Sequence, residues 1–555
     1  PDMASYTVEA AVAREQIEVD GAVTEPAWAT ATPIDQMTQY EPEEGIPFSQ
    51  RTEVRVLYDA ENVYFGFTCY DTDMQRIIAN EMKRDGQLHD NDNVYVLLDT
   101  YNDRRSGFFF RVNPLGAQED AAISDNGDTR NDDWDAVWDA RARIEEGRWT
   151  VEMAIPYSQL RFKRQEVISW GLNVGRSLKR DNEEGIWVPR TKADGFRARY
   201  KTTTLGELTG ITGVAPARNV ELLPYVLPGI TKAEGEDASG KFETGVDVKY
   251  GITSNLTADL TVNTDFAQVE ADDEQVNLTR FSLFFPEKRP FFLEGASQYD
   301  FGVPRTSFRR PPPALLFYSR RIGLFEGEAV PILAGAKVTG KIGPYSVGLL
   351  NALTDAHTVE PEEDDEEPET LSGPRRNYSV VRVRRDVLDQ SAVGIIAVNQ
   401  DDAESHNRAG GVDFVYRPSN STVVRGMWAL TSDDEDGEGA AAYIGGSWRN
   451  NLFQFESSAM RIGENFNPEA GFVRRAGIQT YRVEARYIPW PRRFGIREVY
   501  NGPEASLTYD LDGTLLTRDI SYFAFVRPEI GAGSGSAWTT ATSFSTRSSK
   551  SATAS

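Results

Sequence analysis

The chain has 555 residues, 59 basic against 85 acidic, and a formal net charge of -26. That length exceeds what one hydrophobic core usually serves, so two or more domains are expected, and so acidic a surface repels phosphates, which excludes a generic nucleic-acid partner. A single cysteine, Cys69, rules out an intrachain disulfide, and with only His89, His357 and His406 beside it a thiolate or imidazole zinc site is excluded, leaving hard cations on oxygen ligands.

No run of 18 or more apolar residues occurs, so no transmembrane helix is expected. The opening PDMASYTVEAAV lacks a basic region followed by an apolar one, so no export signal is read there. If the protein is exported, the numbering begins after cleavage or the chain is a fragment.

After an extension at 1–14, residues 15–213 read as one antiparallel β-sandwich of jelly-roll type. Ile17 and Val19 lead into the turn residues Asp20 and Gly21, after which Pro26 and Trp28 open an element that can lay its indole on the sheet. Strands at 53–59 and 63–70 follow. In the second, Val63, Phe65, Phe67 and Cys69 alternate with Tyr64, Gly66, Thr68 and Tyr70, so Cys69 reads as a small buried hydrophobe. Further short strands at 94–99, 107–113, 137–144, 149–155 and 170–176 are separated by Asp, Asn and Gly clusters with no helical period between them.

The strings DGAVTEPAW, VRVLYDAENVYFGFTCYD, DNVYVLLDT with FFFRVNPLGAQED, and WTVEMAIPYSQLRF, in that order, resemble a family 9 carbohydrate-binding-like module. The resemblance implies a two-sheet sandwich that holds sugar between tryptophans and carries structural calcium. Trp134, Trp138 and Trp187 are the stacking candidates, since an indole face excludes water from a pyranose face while its hydroxyls bond carboxylates. Asp132, Asp133 and Asp135 around Trp134 would be the acceptors. Against this, Trp138 alternates with Ala136 and Ala140 and also reads as core. No cofactor is required; a structural calcium could be held by Asp71, Asp73, Asp90 and Asp92, although Asp-rich turns are usually only turns. Glu119, Asp120 and Glu152 could form a glycosidase-type carboxylate pair.

From 214 to 530 the alternation lengthens and changes meaning. In KFETGVDVKYGI, Phe242, Val246, Val248, Tyr250 and Ile252 oppose Glu243, Asp247 and Lys249; in LTADLTVNT, Leu256, Ala258, Leu260 and Val262 oppose Thr257, Asp259, Thr261 and Asn263. About fourteen such strands, with Tyr225, Tyr250, Tyr416, Trp448 and Trp490 near strand ends and connections alternating between short and long, predict an antiparallel transmembrane β-barrel. The long acidic connections read as solvated loops.

One stretch breaks the series. Residues 264–325 are too long for a hairpin turn and mix Phe284, Phe285, Phe291 and Phe292 with Arg280, Lys288, Arg289, Arg309, Arg310, Arg320 and Arg321, so they read as a plug filling the bore, with arginines on lumen acids such as Asp247 and Asp259. This stretch, with VPILAGAKVTGKIGPYSVGLLNALTD and FNPEAGFVRR, resembles an uncharacterised bacterial outer-membrane barrel domain of unknown function. Residues 531–555 lose alternation and read as a disordered or non-native tail, and without an evident closing strand the barrel reads as truncated.

The leading expectation is therefore an all-β outer-membrane protein carrying a carbohydrate-binding-like module, its partners a polysaccharide or oligosaccharide and outer-membrane lipid, with glycan capture or uptake as its task. A surface hydrolase acting on glycosidic bonds and a structural barrel with a non-binding sandwich are the alternatives.

Overall fold

The computed structural model describes residues 6–528 apart from 133, 216–219, 232–238, 254, 265–282, 286, 304–312, 326–327, 360–370, 389, 435–436 and 492–494. The expected tail at 531–555 lies outside these residues, as do Arg280, Arg309 and Arg310 of the insert. No described helix is long and apolar enough to cross a membrane, and the protein is built almost wholly of strands.

The sandwich has two sheets. One orders Thr7–Glu9, Gly206–Thr212, Val167–Leu178, Asn93–Asp99, Gly107–Val112, Gln118–Ser124 and Thr129–Asn131, with Glu183–Ile186 paired to Val167–Leu178 and Thr38–Glu41 paired in turn to Glu183–Ile186; the other orders Asp139–Glu145, Arg148–Pro156, Asn62–Tyr70, Thr52–Tyr58 and Ala11–Val12. Val54, Phe65, Phe67, Val96, Phe110, Trp149 and Trp170 meet between them. The alternation of 63–70 holds, and Cys69 is fully buried, which pushes its thiol up to about 12. Two strands are buried on both faces, because Tyr95, Leu97 and Phe109 are covered by Ala198, Tyr200 and Leu205. Double-sided burial is why VYVLLD and GFFFRV carry almost continuous apolar runs.

Trp28 lies on the outer face of the five-stranded sheet. A β-carbon at Gly66 would stand 2.9 Å from its ring, so only glycine admits the indole there. The indole N–H donates to Glu152 at 3.0 Å. The expected extension at 1–14 belongs in part to the sandwich: Thr7–Glu9 runs parallel to Gly206–Thr212, and Ala11–Val12 pairs with Thr52–Tyr58.

Among the described residues, fourteen antiparallel strands between Val220 and Pro528 form one sheet in which each pairs with the next of the fourteen. Its polarity is the reverse of a soluble sheet's. Leu260 is 50% exposed and Asp259 6%; Ile395 is 54% exposed and Ile396 3%; Trp428 is 52% exposed and Ala429 is fully covered. The sheet curls around the described insert: Phe291, Tyr299, Phe301, Leu316 and Phe317 pack on Ile332, Leu350, Val380, Val398, Ala409, Ala429, Ala441 and Ile462, which lie on eight different strands. The first and last strands show no pairing to each other among the described residues.

The lumen acids Asp247 and Asp259 take partners on the sheet itself. Arg289 is fully buried, but it satisfies Glu287 and the carbonyls of Ser319 and Ile322 within the insert itself. Asp259 pairs instead with Lys337 at 3.4 Å, whose ammonium also donates to the carbonyls of Phe291 and Glu294. Asp247 accepts from Thr261. A sheet lysine thus caps insert carbonyls and holds a sheet acid at once. FNPEAGFVRR closes the same core: Leu315 pairs with Phe472, Tyr318 N–H donates to Ala470, and Phe284 packs edge-on to Phe472.

Candidate functional site

The turns at Gly343-Pro344, 388–390, 420–421 and 450–452 all lie at one end of the fourteen-stranded sheet, and the sandwich sits on that end. The longest connections, 265–331, 355–376 and 463–477, lie at the other end, beside short ones at 402–405 and 511–514. Ion pairs hold the junction, with carboxylates mostly on the sandwich and guanidiniums mostly on the rim. Glu41 takes Arg497 at 2.7 Å and Arg527 at 3.4 Å; Asp103 takes Lys341; Asp125 takes Arg384; Asp128 takes Arg417 and, at 2.8 Å, Arg425. Arg105 reverses the direction, donating to Asp386 at 3.1 Å and to the carbonyls of Ser391 and Leu388. Lys192 stands 3.9 Å over the Trp490 ring.

Burial alone would raise the Asp128 carboxyl, but Arg417 and Arg425 outweigh it and hold it well below the usual carboxylate range. Asp125 is lowered in the same way, burial being outweighed by Arg384.

Between sandwich, insert and rim lies a cavity of about 160 Å³. Trp134, Phe108 and Asn126 line it from the sandwich, Gln298 from the insert, and Ser346 and Gln390 from the sheet. The loop beneath it is fixed by Asn126, which takes a left-handed φ of 59°. Its side-chain carbonyl accepts the N–H groups of Thr202 and Thr203, both at 3.0 Å. Asparagine tolerates that conformation better than most residues.

The sequence candidates separate on this geometry. Trp134 is half-buried, packs at a tilt on Phe108 with ring centroids 4.7 Å apart, and lines the cavity. Trp138 and Trp187 are corrected to core residues. Trp138 packs edge-on to Phe110 and donates to Asp120 at 3.1 Å; Trp187 lies over Gly206 with Tyr6 at its edge. Neither offers a free ring face. Asp132 is exposed and pairs with Arg130; Asp135 is exposed and pairs with Arg84 at 2.6 Å; Asp133 lies outside the described residues.

Asp71, Asp73, Asp90 and Asp92 do not gather around one point. Asp71 is buried against Arg176 and Arg180 at 3.3 and 2.9 Å, Asp92 accepts the Lys179 and Ile78 N–H groups, and Asp90 is exposed beside His89. Two guanidiniums and two amides take the oxygens a calcium ion would need. Among the described residues the one group of three carboxylates close enough to share a cation is Asp85, Asp120 and Asp135, and the Arg84 guanidinium reaches all three.

The carboxylates considered for catalysis serve as internal acceptors. Glu119 binds Arg111 and Arg130, Asp120 binds Arg84, Trp138 and the Ala136 N–H, and Glu152 binds Trp28 with the Asp20 and Gly21 N–H groups. Burial pushes Asp120 up to about 6 and Glu152 up to about 7.

Sequence reasoning did not find the rim arginines or Asn126. The run VRVRRDVLDQ, with basic residues concentrated where a strand meets a short turn, was the available signal for the former.

Residues 19–186 match the model of the carbohydrate family 9 binding domain-like family. Among solved structures, a family 9 carbohydrate binding module from Caldicellulosiruptor kristjanssonii in complex with glucose is 12% identical, covering 38% of this chain and 96% of its own, with a TM-score of 0.26. OccK7 (OpdD) of Pseudomonas aeruginosa is 8% identical over 80% of this chain and 88% of its own, TM-score 0.26, and OccAB2 of Acinetobacter baumannii is 9% identical over 82% and 89%, TM-score 0.27. No curated protein matches the chain. The model of a domain of unknown function (DUF5916) matches residues 215–511, more than half of the sequence, and the chain belongs to that family.

Proposed function

We propose that the protein is an outer-membrane barrel that captures a glycan with a sandwich docked on the periplasmic end of its bore. The observation that carries the membrane reading is the reversed polarity of the fourteen-stranded sheet, whose solvent-turned side bears Leu260, Ile395, Trp428 and Ile444 while Asp259, Lys337 and Arg382 turn inward. Water would leave that outer side uncovered at large cost, whereas lipid covers it without burying a polar group. Exposed Tyr250, Tyr416 and Trp448 near the short-turn end suit a headgroup interface.

Orientation follows from the turns. Bacterial barrels keep short turns toward the periplasm and long loops outside. The sandwich occupies the short-turn end, so it faces the periplasm rather than the medium. The glycan reading is supported by the family 9 likeness of residues 19–186 and by Trp134 at the junction cavity. Binding of the detergent-purified full chain to a glycan array, with loss in Trp134→Ala, is the expected result; a flat array overturns the glycan reading. Protease added to intact cells should leave the sandwich uncut, and cleavage there overturns the orientation.

A second reading is favoured by the ion-paired junction: the sandwich acts as a stopper with no glycan ligand. It requires a flat array together with ion current in planar bilayers when the junction is broken.

A further inference from the structure

The inward side of the fourteen-stranded sheet changes character along its circumference. From Tyr345–Thr354 to Glu438–Arg449 it is apolar and covered, with Leu350, Val380, Val398, Ala409, Ala429 and Ala441 packed under the described part of the insert. Phe453–Ile462, Ile478–Tyr487, Ile496–Asp510 and Leu515–Pro528 differ. Their register sets Glu456 opposite Glu484, Glu484 opposite Glu504 and Glu504 opposite Ser521, and the next row runs Ser458, Arg482, Ser506, Asp519. Opposed residues share a face of the sheet. That face is the inward one, because Met460, two residues beyond Ser458, touches the insert core while the alternate positions Phe455, Tyr481, Val483, Ile520 and Tyr522 carry the exposed apolar side.

Three carboxylates side by side on adjacent strands repel one another. Two of them are compensated: Arg482 reaches Glu504 at 2.7 Å and Glu484 at 3.4 Å, and Arg486 reaches each at 3.2 Å. Glu456 is exposed and takes only the Gln454 NH2 at 2.9 Å, and among the described residues neither it nor Asp519 forms an ion pair. A carboxylate without a cation is not kept in a dry interior, so this wall needs water against it. Lipid supplies none, and the water therefore lies inside the bore, beside the insert.

The sandwich stands over one end of the same four strands. Glu41, closing Thr38–Glu41, takes Arg497 at 2.7 Å, near the start of Ile496–Asp510, and Arg527 at 3.4 Å, near the end of Leu515–Pro528. Arg497 also donates to the Asn182 carbonyl at 2.9 Å, and Glu44 accepts from Asn451 in the 450–452 turn at 3.5 Å. The segment 38–44 is thus tied across the short-turn end of the polar wall.

We propose that a water-filled lane for small hydrophilic solutes runs between the insert and this wall, and that the sandwich shuts its periplasmic mouth through Glu41. Four carboxylates, Glu456, Glu484, Glu504 and Asp519, against the guanidiniums of Arg482 and Arg486 leave the wall negative, so cations pass more readily than anions. The inference rests on the membrane reading above, is independent of the glycan reading, and goes beyond both by naming where a solute crosses.

The test places single cysteines at Ser458 and Ser506 on the wall, and at Ala409 and Ala429 under the insert, in the full chain reconstituted into liposomes, and treats each with a cationic, water-soluble methanethiosulfonate. Cys69 is buried and gives no background. The wall sites should react at least about tenfold faster than the covered ones, which must wait for the insert to open. In planar bilayers Glu41→Gln should raise potassium current about tenfold over the parent, a pair intermediate between exposed and buried having been broken, with potassium preferred to chloride, and modification of Ser506→Cys in that background should lower the current. Equal reactivity at all four sites, or none at the wall sites in protein whose outer face is quenched by brominated lipid, overturns the lane and leaves the membrane reading standing. Absence of that quenching removes both together. Unchanged current in Glu41→Gln overturns the latch, and a preference for chloride overturns the assigned selectivity.

Discussion

Removing Asp128 tests whether charge holds the sandwich to the barrel. Its side chain is 18% exposed and touches Arg417 and Arg425, themselves 6% and 14% exposed, with Lys201 at 3.9 Å and Arg197 at 3.8 Å. Asp128→Asn leaves two nearly desolvated guanidiniums facing each other. Breaking a buried pair by removing one partner costs about 3–5 kcal/mol, and the residual exposure here places the cost near the lower end, about 3 kcal/mol, or roughly a hundredfold in the docking constant.

A cysteine at Ser391 reports on docking. That residue is 2% exposed, and its carbonyl accepts Arg105 of the sandwich at 2.8 Å. Maleimide labelling of Ser391→Cys therefore requires undocking, and its rate tracks the open population when closing is fast. Cys69 gives no background, being buried with its thiol raised. Labelling should accelerate about a hundredfold in the Asp128→Asn background, and in the parent as salt rises. A rate within threefold of the parent refutes the ion-pair account of docking. Because the Asp128 carboxyl is depressed from 3.8, its contribution is present above about pH 4 and is lost as pH falls through the folded value. Divided by the rate of a free thiol at the same pH, which corrects for the thiolate fraction, labelling should thus be flat from pH 5 to 8.

Three further outcomes are expected. Glu184 is buried, yet Arg199 and Lys179 hold it down at about 2 against an ordinary 4.5, so it contributes on the order of 3 kcal/mol that is present above pH 4.5 and lost as pH falls toward 2. Thermal midpoints of parent and Glu184→Gln should separate at pH 7 and converge only as pH falls through about 2; parallel curves contradict this. Gly66→Val should destabilise the sandwich by about 3 kcal/mol by displacing Trp28 from the sheet and from Glu152, and unchanged near-ultraviolet dichroism with an unchanged midpoint would count against that packing. Lys337→Ala removes the ammonium that caps Phe291 and Glu294 and pairs with Asp259, so it should loosen the insert and produce ion current in planar bilayers where the parent shows little; a silent variant means that the insert is held by its apolar contacts alone.

The fold was legible because sheets write their two faces into alternate residues. Leu256, Ala258, Leu260 and Val262 against Thr257, Asp259 and Thr261 told one side from the other without any partner strand, and the expected count of about fourteen strands agrees with the fourteen seen among the described residues. The site was not legible in the same way. Trp134, Trp138 and Trp187 are chemically identical, and what separates them is burial by residues far along the chain, such as Tyr6 at the edge of Trp187. Asp71 offered a plausible metal ligand until Arg176 and Arg180, more than 100 residues away, took its oxygens. The same distance hides the junction: Asp128 and Arg417 are 289 residues apart, and no local pattern announces their meeting.

The claim on which the account depends is that the apolar side of the fourteen-stranded sheet faces lipid. Single cysteines placed at Leu260, Ile395 and Trp428, and at their neighbours Thr261, Ile396 and Ala429, can each carry a fluorophore in protein reconstituted into brominated lipid. Strong bromine quenching at Leu260, Ile395 and Trp428, with little at the three neighbours, is the predicted result. Quenching by aqueous iodide and not by brominated lipid at the first three sites would contradict it.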